Sequence, residues 1–257
     1  MFALQLEALG YQPIEKIQSL WSGYGQVLRC YSEQIRKPVV LKLVVPEGKA
    51  EHPRGWGSDV SHQRKLRSYQ IESNFYRLYS KTTNDDCRVP KLHKIEQIEQ
   101  GMFLVMEDLH HSGFSIDHKN GEQQSLAIAI KWLANFHAVF MGNDAHDLWS
   151  DGGYWHLSTR HDEWKAMSDC ALKSSAALID SKLRSAKYQT IIHGDAKFAN
   201  LCFHQTNKAV AAVDFQYVGQ GVGIKDLAYL VGSCLDNEQL FCLEPFILAT
   251  YFHELKV

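Results

Sequence analysis

Apolar residues fall into runs of two kinds along the 257-residue chain. Pro38 to Val45 is an aliphatic, β-branched run broken by a single charge, Lys42, and predicts a strand. Met102 to Met106 is a second run of buried-strand type, and it breaks into Glu107-Asp108-Leu109. Leu20 to Arg29 reads as strand, glycine turn, strand. Leu201 to His204 and Ala209 to Asp214 predict two more strands, joined by Gln205-Thr206-Asn207-Lys208, a polar connection of the kind that closes hairpins. Helical spacing governs Gln63 to Ser80, where Leu66, Tyr69, Phe75, Leu78 and Tyr79 recur on the inward side. Two further helices are expected, at Gln124 to Met141 and at Pro245 to Leu255.

The hairpin brings chemistry together. Pairing His204 with Ala209 and following the antiparallel register sets Asn200 opposite Val213, beside Asp214. An Asn carbonyl and an Asp carboxylate suit Mg²⁺, which is usually held by one or two protein carboxylates plus substrate phosphates. Asp195, five residues earlier, can face a transferred phosphate without ligating the metal, as a base. Protein kinases use H-R-D-x-x-x-x-N in this way, and His193-Gly194-Asp195 stands here in place of H-R-D. Lys197 would put a positive charge near the γ-phosphate, and His193 would brace the loop. Singly, Asp195 could cap a turn, Asn200 start a strand and Asp214 end one; their joint spacing favours phosphoryl transfer.

A lysine inside an apolar strand is costly unless paired, so Lys42 calls for a partner, and Glu72 on the Gln63 to Ser80 helix is the candidate. Glu72 taken alone is also compatible with an ordinary solvated helix position. Ser22-Gly23-Tyr24-Gly25 could lay backbone N–H groups over phosphates, although two glycines in a hairpin are also simply a turn. The backbone at Glu107 and Leu109 would hydrogen-bond adenine, leaving the Glu107 and Asp108 side chains as solvated loop charges. GTP stays open as a donor, because such recognition would rest on backbone groups.

Lys42, Glu72, Val105 to Leu109, His193 to Asn200 and Asp214, in that order, resemble the aminoglycoside phosphotransferase and choline kinase family. Trp56-Gly57-Ser58-Asp59 through Arg67-Ser68-Tyr69, and Gly153 to Arg160, are similar to its ecdysteroid kinase-like branch. The resemblance implies an α+β, bilobal protein-kinase-like fold, with a small β-rich ATP-binding lobe at 1–108, a mainly helical catalytic and substrate lobe at 109–257, and ATP with Mg²⁺ between them. It makes Asp195 the catalytic base, Asn200 and Asp214 the metal ligands, and Lys42 the phosphate-binding lysine. Asp226 matches a structural position, expected here to N-cap the next helix. Phe215-Gln216 stands where protein kinases have Phe-Gly and no A-P-E follows, which disfavours a protein substrate.

A formal charge of −2 and the absence of an extended Lys/Arg run disfavour nucleic acid or an anionic membrane as partner. No run is long enough to span a bilayer, and six scattered cysteines without C-x-x-C spacing suit reduced thiols, so a cytoplasmic protein is expected. Asp144 to Asp169 carries Trp149, Tyr154, Trp155 and Trp164 among an excess of acids, a wall that would attract a cationic or amphipathic acceptor. Aromatics in the core and acids at helix ends are the plainer reading. Choline-like, aminoglycoside-like and steroid-like alcohols all remain. The expected activity is transfer of the γ-phosphoryl group of ATP to a small-molecule hydroxyl; the rival is a silent nucleotide-binding protein acting as sensor or scaffold.

Overall fold

The computed structural model describes residues 6–20, 23–45, 59–99, 101–116, 123–206 and 208–255. They form two compact units, Met1–Lys81 with Val89–Ser115, and Thr82–Arg88 with Ile116–Val257.

The first unit is built on an antiparallel sheet of β1 (Tyr11–Ser19), β2 (Gly25–Ser32), β3 (Lys37–Val44), β4 (Leu92–Ile98) and β5 (Gly101–Glu107), in the order β1-β2-β3-β5-β4. Side chains alternate across a strand, so Val39, Leu41 and Leu43 of β3 share one buried face with Leu28, Cys30, Phe103 and Val105. Lys42 necessarily points to the other face, where it lies between Val27 and Leu104. The edge strand β1 is mostly exposed and interrupted by register shifts around Pro13 to Gln18, features that discourage further strand pairing.

Helix α1 (Asp59–Leu78) begins four residues before the periodicity suggested. Its inward stripe is Ser68, Tyr69, Glu72, Phe75 and Tyr76, all buried, whereas Leu78 at its last position is 48% exposed rather than inward. A short strand, β6 (Phe114–Ser115), ends the unit.

In the second unit, α2 (Gln123–Val139) is central, with Leu126, Ile130, Trp132, Leu133 and Phe136 fully buried. It is followed by α3 (His161–Ala166), α4 (Ala171–Arg184), β7 (Thr190–Ile192), β8 (Leu201–His204), β9 (Val210–Ala212), β10 (Gly219–Gly221), α5 (Ile224–Gly232) and α6 (Asn237–Glu254). β8 and β9 pair in the expected register: His204 N–H donates to Ala209 O and Val213 N–H to Asn200 O, both at 2.9 Å. Asn207 of the connection lies outside the described residues. β9 stops at Ala212, short of the expected Asp214, because Asp214 takes a left-handed backbone conformation, φ +69°.

The first unit runs to Ser115, and Thr82–Arg88 joins the second unit, where Arg88 O accepts the Trp132 indole N–H (2.9 Å) and the Ala212 N–H (3.1 Å). The last helix does not start at Pro245 but at Asn237, behind a reciprocal cap in which Asp236 and Gln239 each bond the other's backbone N–H. Pro245 is interior; the residue four before it, Phe241, is 81% exposed, so the carbonyl that loses its partner can turn to water. Among the described residues no helix is long and apolar enough to cross a membrane.

Candidate active site

In the first unit, Lys42 and Glu72 meet as a buried ion pair, Nζ lying 2.9 Å from Oε1 and 2.6 Å from Oε2. The Lys42 ammonium also lies 5.9 Å from the centre of the Tyr69 ring. Glu72 is therefore not a solvated residue; it is the counter-charge that lets a lysine stay ionised in a β-sheet interior.

The glycine turn is fixed at both ends. Gly25 adopts φ +132°, and a Cβ there would fall 2.0 Å from Leu43 O, so only glycine permits β2 to approach β3 at this point. Val45 N–H donates to Tyr24 O (2.8 Å), and the Tyr24 hydroxyl bonds His62 Nδ1 on α1. Gly23 also has positive φ, +75°. Ser22 lies outside the described residues.

The segment after β5 departs from the expectation. Asp108 is a buried anchor and not a solvated charge: Arg29 Nε donates to its Oδ2 at 2.6 Å, and His110 N–H to its Oδ1 at 3.1 Å. Glu107 N–H donates to Lys91 O (2.8 Å), and its carboxylate accepts from Ser112 Oγ (2.6 Å). Leu109 O accepts from Ser112 and Phe114, whereas its own N–H bonds no acceptor among the described residues. Of the two positions expected at adenine, only Leu109 has a donor to offer.

In the second unit, β7 delivers the chain into His193-Gly194-Asp195. Gly194 has φ +81°, and a Cβ would sit 2.1 Å from Tyr217 O, which accounts for glycine where protein kinases carry arginine. His193 does brace the loop, and its two bonds define its tautomer: Nε2–H donates to Val213 O (3.0 Å) and Nδ1 accepts Asp195 N–H (3.2 Å).

Asp195 is buried, with Oδ2 accepting from Lys197 Nζ and Asn200 Nδ2, each at 2.9 Å. Asn200 Nδ2 also donates to Asp195 O at 2.8 Å, which fixes the amide's orientation. Its Oδ1 makes no hydrogen bond among the described residues and is left as an oxygen donor. Asp214, one residue past the Asn200–Val213 bond, accepts from Gln216 Nε2 at 2.6 Å. Among the described residues no group of three or more His, Cys, Asp or Glu could hold a metal. Asn200 and Asp214 are oxygen donors of the kind Mg²⁺ takes when phosphates and water complete its shell.

Two residues of α5 bear on this loop in ways the sequence did not suggest. Asp226 is not the N-cap of α5, which is Gly223; it stands in the first turn and turns its carboxylate back onto the loop. It accepts His193 N–H (2.6 Å), Gly194 N–H (2.9 Å) and His137 Nε2–H (3.2 Å). Burial would raise its pKa, but the hydrogen bond from His137, the neighbouring His193 ring and the Gly194 N–H outweigh burial and hold it below the usual range. Tyr229, on α5, has its phenol pushed up to about 12, by burial first and by the nearby Asp195 carboxylate next. No motif marks Tyr229; only its place one turn after Asp226 could have drawn notice.

The acidic, aromatic wall is largely self-satisfied. The Arg160 guanidinium lies over both the Tyr154 and Trp155 rings, 4.9 and 4.2 Å from their centres. Trp149 and Trp164 spend their indole N–H groups on Gln216 O and Lys173 O. Glu163 pairs with Arg160 and Asp169 with Lys173, each at 3.0 Å. A cation arriving from outside would find the Tyr154 and Trp155 faces already engaged by Arg160.

The chain is similar in fold to aminoglycoside phosphotransferase APH(3'')-Id from Streptomyces rimosus, solved in complex with ADP and streptomycin. That likeness has a TM-score of 0.57 at 13% identity and covers 99% of this chain and 90% of that one. It is similar too to a thermostable mutant of aminoglycoside phosphotransferase APH(4)-Ia in its apo form, with a TM-score of 0.53 at 12% identity, covering 98% and 79%. These likenesses show an α+β, kinase-like fold with a sheet-based N-terminal part and a helical C-terminal part. No protein of curated function matches the chain in sequence. The phosphotransferase enzyme family model matches residues 17–253, nearly the whole chain, and the protein therefore belongs to that family.

Proposed function

We propose that this protein transfers the γ-phosphoryl group of ATP to a hydroxyl of a small molecule. The observation that carries the reading is Asp195, a buried carboxylate held on one oxygen by Lys197 and Asn200, in a loop fastened from behind by Asp226. The acceptor oxygen bonds to Pγ as the bond from Pγ to the β–γ bridging oxygen breaks. ADP leaves with that electron pair, and Asp195 takes the proton of the acceptor hydroxyl. Lys42, kept ionised by Glu72, and the Gly23–Gly25 turn hold the phosphates; the Leu109 N–H is offered to adenine. Lys197 shields the charge on Asp195 and lies near the transferred group. Mg²⁺, when bound, neutralises charge on the phosphate oxygens, and Asn200 with Asp214 would hold it. All six cysteines are free, which supports a reducing, cytoplasmic setting.

The test is transfer of label from γ-labelled ATP to a panel of alcohols (choline, ethanolamine, aminoglycosides, sugars, homoserine, steroids), with Asp195→Asn and Asp214→Ala beside the wild type. Label on one acceptor class, lowered by about 10³-fold in either variant with the fold intact, is the expected result. Equal transfer by Asp195→Asn would remove Asp195 as the base. Stabilisation by Mg²⁺-ATP with no label on any acceptor would favour a silent nucleotide-binding protein.

A further inference from the structure

Helix α4 is amphipathic, yet none of its residues is buried. Leu172, Ala176, Ile179 and Leu183 recur at helical spacing on one face, and Leu172 and Ile179 are 60% and 41% exposed. With Val222 from the segment before α5, this face lines a cavity of about 490 Å³. That volume lies within the roughly 300–1,000 Å³ of small-molecule sites. An exposed apolar stripe marks a binding surface, and the volume it lines here is that of a small molecule.

The cavity's polar edge is already neutral. Asp151 receives Lys225 Nζ at 3.0 Å and Arg184 Nη2 at 2.8 Å, with His156 Nδ1 at 3.7 Å. Asp180 takes Arg184 Nε at 2.9 Å. Two carboxylates thus face two permanent cations, and a polycationic ligand would have to break these pairs to be recognised. The chain that lines the cavity also reaches the loop that carries Asp195. The segment that carries Asp151 and His156 packs on it, Tyr154 N–H donating to Gly194 O at 2.8 Å, and a Cβ on Gly194 would lie 2.8 Å from Gly153 N.

We infer that this cavity receives the body of the acceptor, and that the acceptor is an uncharged alcohol with a largely apolar frame. The word acceptor rests on the phosphotransferase reading; the cavity and the class of ligand it takes do not.

The test is titration of Nile red, a neutral apolar fluorophore, into the full chain, with 1-decanol and streptomycin as competitors. Saturable one-to-one binding, displaced by 1-decanol and not by streptomycin, is expected. Ala176→Trp, which fills the cavity, and Leu172→Asp, which charges an exposed position the fold does not need, should each weaken it by about tenfold or more while stabilisation by Mg²⁺-ADP is kept. Absence of saturable binding, or binding unmoved by both variants, overturns the cavity. Displacement by streptomycin, or label passed from ATP to streptomycin and not to 1-decanol, overturns the neutral class. A dimer that Leu172→Asp dissociates would put a second copy on this face instead. Nile red binding as expected, with no label passed to any alcohol, counts against the phosphotransferase reading and in favour of the cavity.

Discussion

The carboxylate of Asp226 accepts the backbone N–H of His193 at 2.6 Å. With the bond from Gly194 N–H on its other oxygen, this makes a fully buried anion the anchor of the loop that carries Asp195. The function of Asp226 is thus positional: it reaches no reacting group, and it sets where Asp195 stands.

Asp226→Asn should lower stability by about 3 kcal/mol, since charge-assisted bonds in the interior are replaced by an amide that offers an N–H where an acceptor is needed. Turnover should fall about 10²-fold through misplacement of Asp195. The pH dependence follows from the depressed pKa of Asp226. Its stabilisation is complete above the unfolded value of about 3.9 and is lost as pH falls toward the lower folded value. Thermal melts between neutral and strongly acidic pH should therefore show a steeper loss in the wild type than in Asp226→Asn; parallel curves would exclude Asp226 as the titrating group.

Lys42→Met should cost about 3–5 kcal/mol, because it strands Glu72 as a buried unpaired charge. Lys42→Met combined with Glu72→Leu should recover most of that loss without recovering activity. Denaturant titration of both variants decides the matter: a double variant no more stable than the single one would mean that the pair is held by something beyond mutual neutralisation.

Gly194→Ala should fold poorly or not at all, since its Cβ would fall 2.1 Å from Tyr217 O at a positive φ. A Gly23→Ala control, also at positive φ but with no atom within 4 Å of the added carbon, should lose only the backbone cost of about 1–2 kcal/mol. Comparable melting temperatures in the two would refute the packing explanation.

Elements with a strong local signal were legible in the sequence. The apolar run around Lys42 announced both a strand and the need for a counter-charge, and the hairpin's polar connection fixed the register that sets Asn200 beside Asp214. What was not legible depended on contacts distant in sequence. Asp226 resembled an N-cap because acids favour helix starts, and nothing local says that its carboxylate turns back to residue 193. Asp108 looked like a loop charge because its partner, Arg29, lies on β2. The acids and aromatics of Asp144 to Asp169 suggested an open wall; that Arg160 already covers two of the rings is a matter of side-chain placement.

The His137 ring joins Asp226 to the last helix: Nε2 faces Asp226 and Nδ1 lies 2.8 Å from the Tyr251 hydroxyl. Gly223 leaves the room for this, since a Cβ there would fall 2.2 Å from that hydroxyl. Synthesis proceeds from the N-terminus, and units formed early can fold before later ones exist. The support of the loop from His193 to Asp195, however, is closed by a residue made long after Asp195 itself. A nascent chain stalled before Tyr251 would carry Asp195, Asn200 and Asp214 and lack the brace behind them, so the native placement of this loop should arrive late in translation.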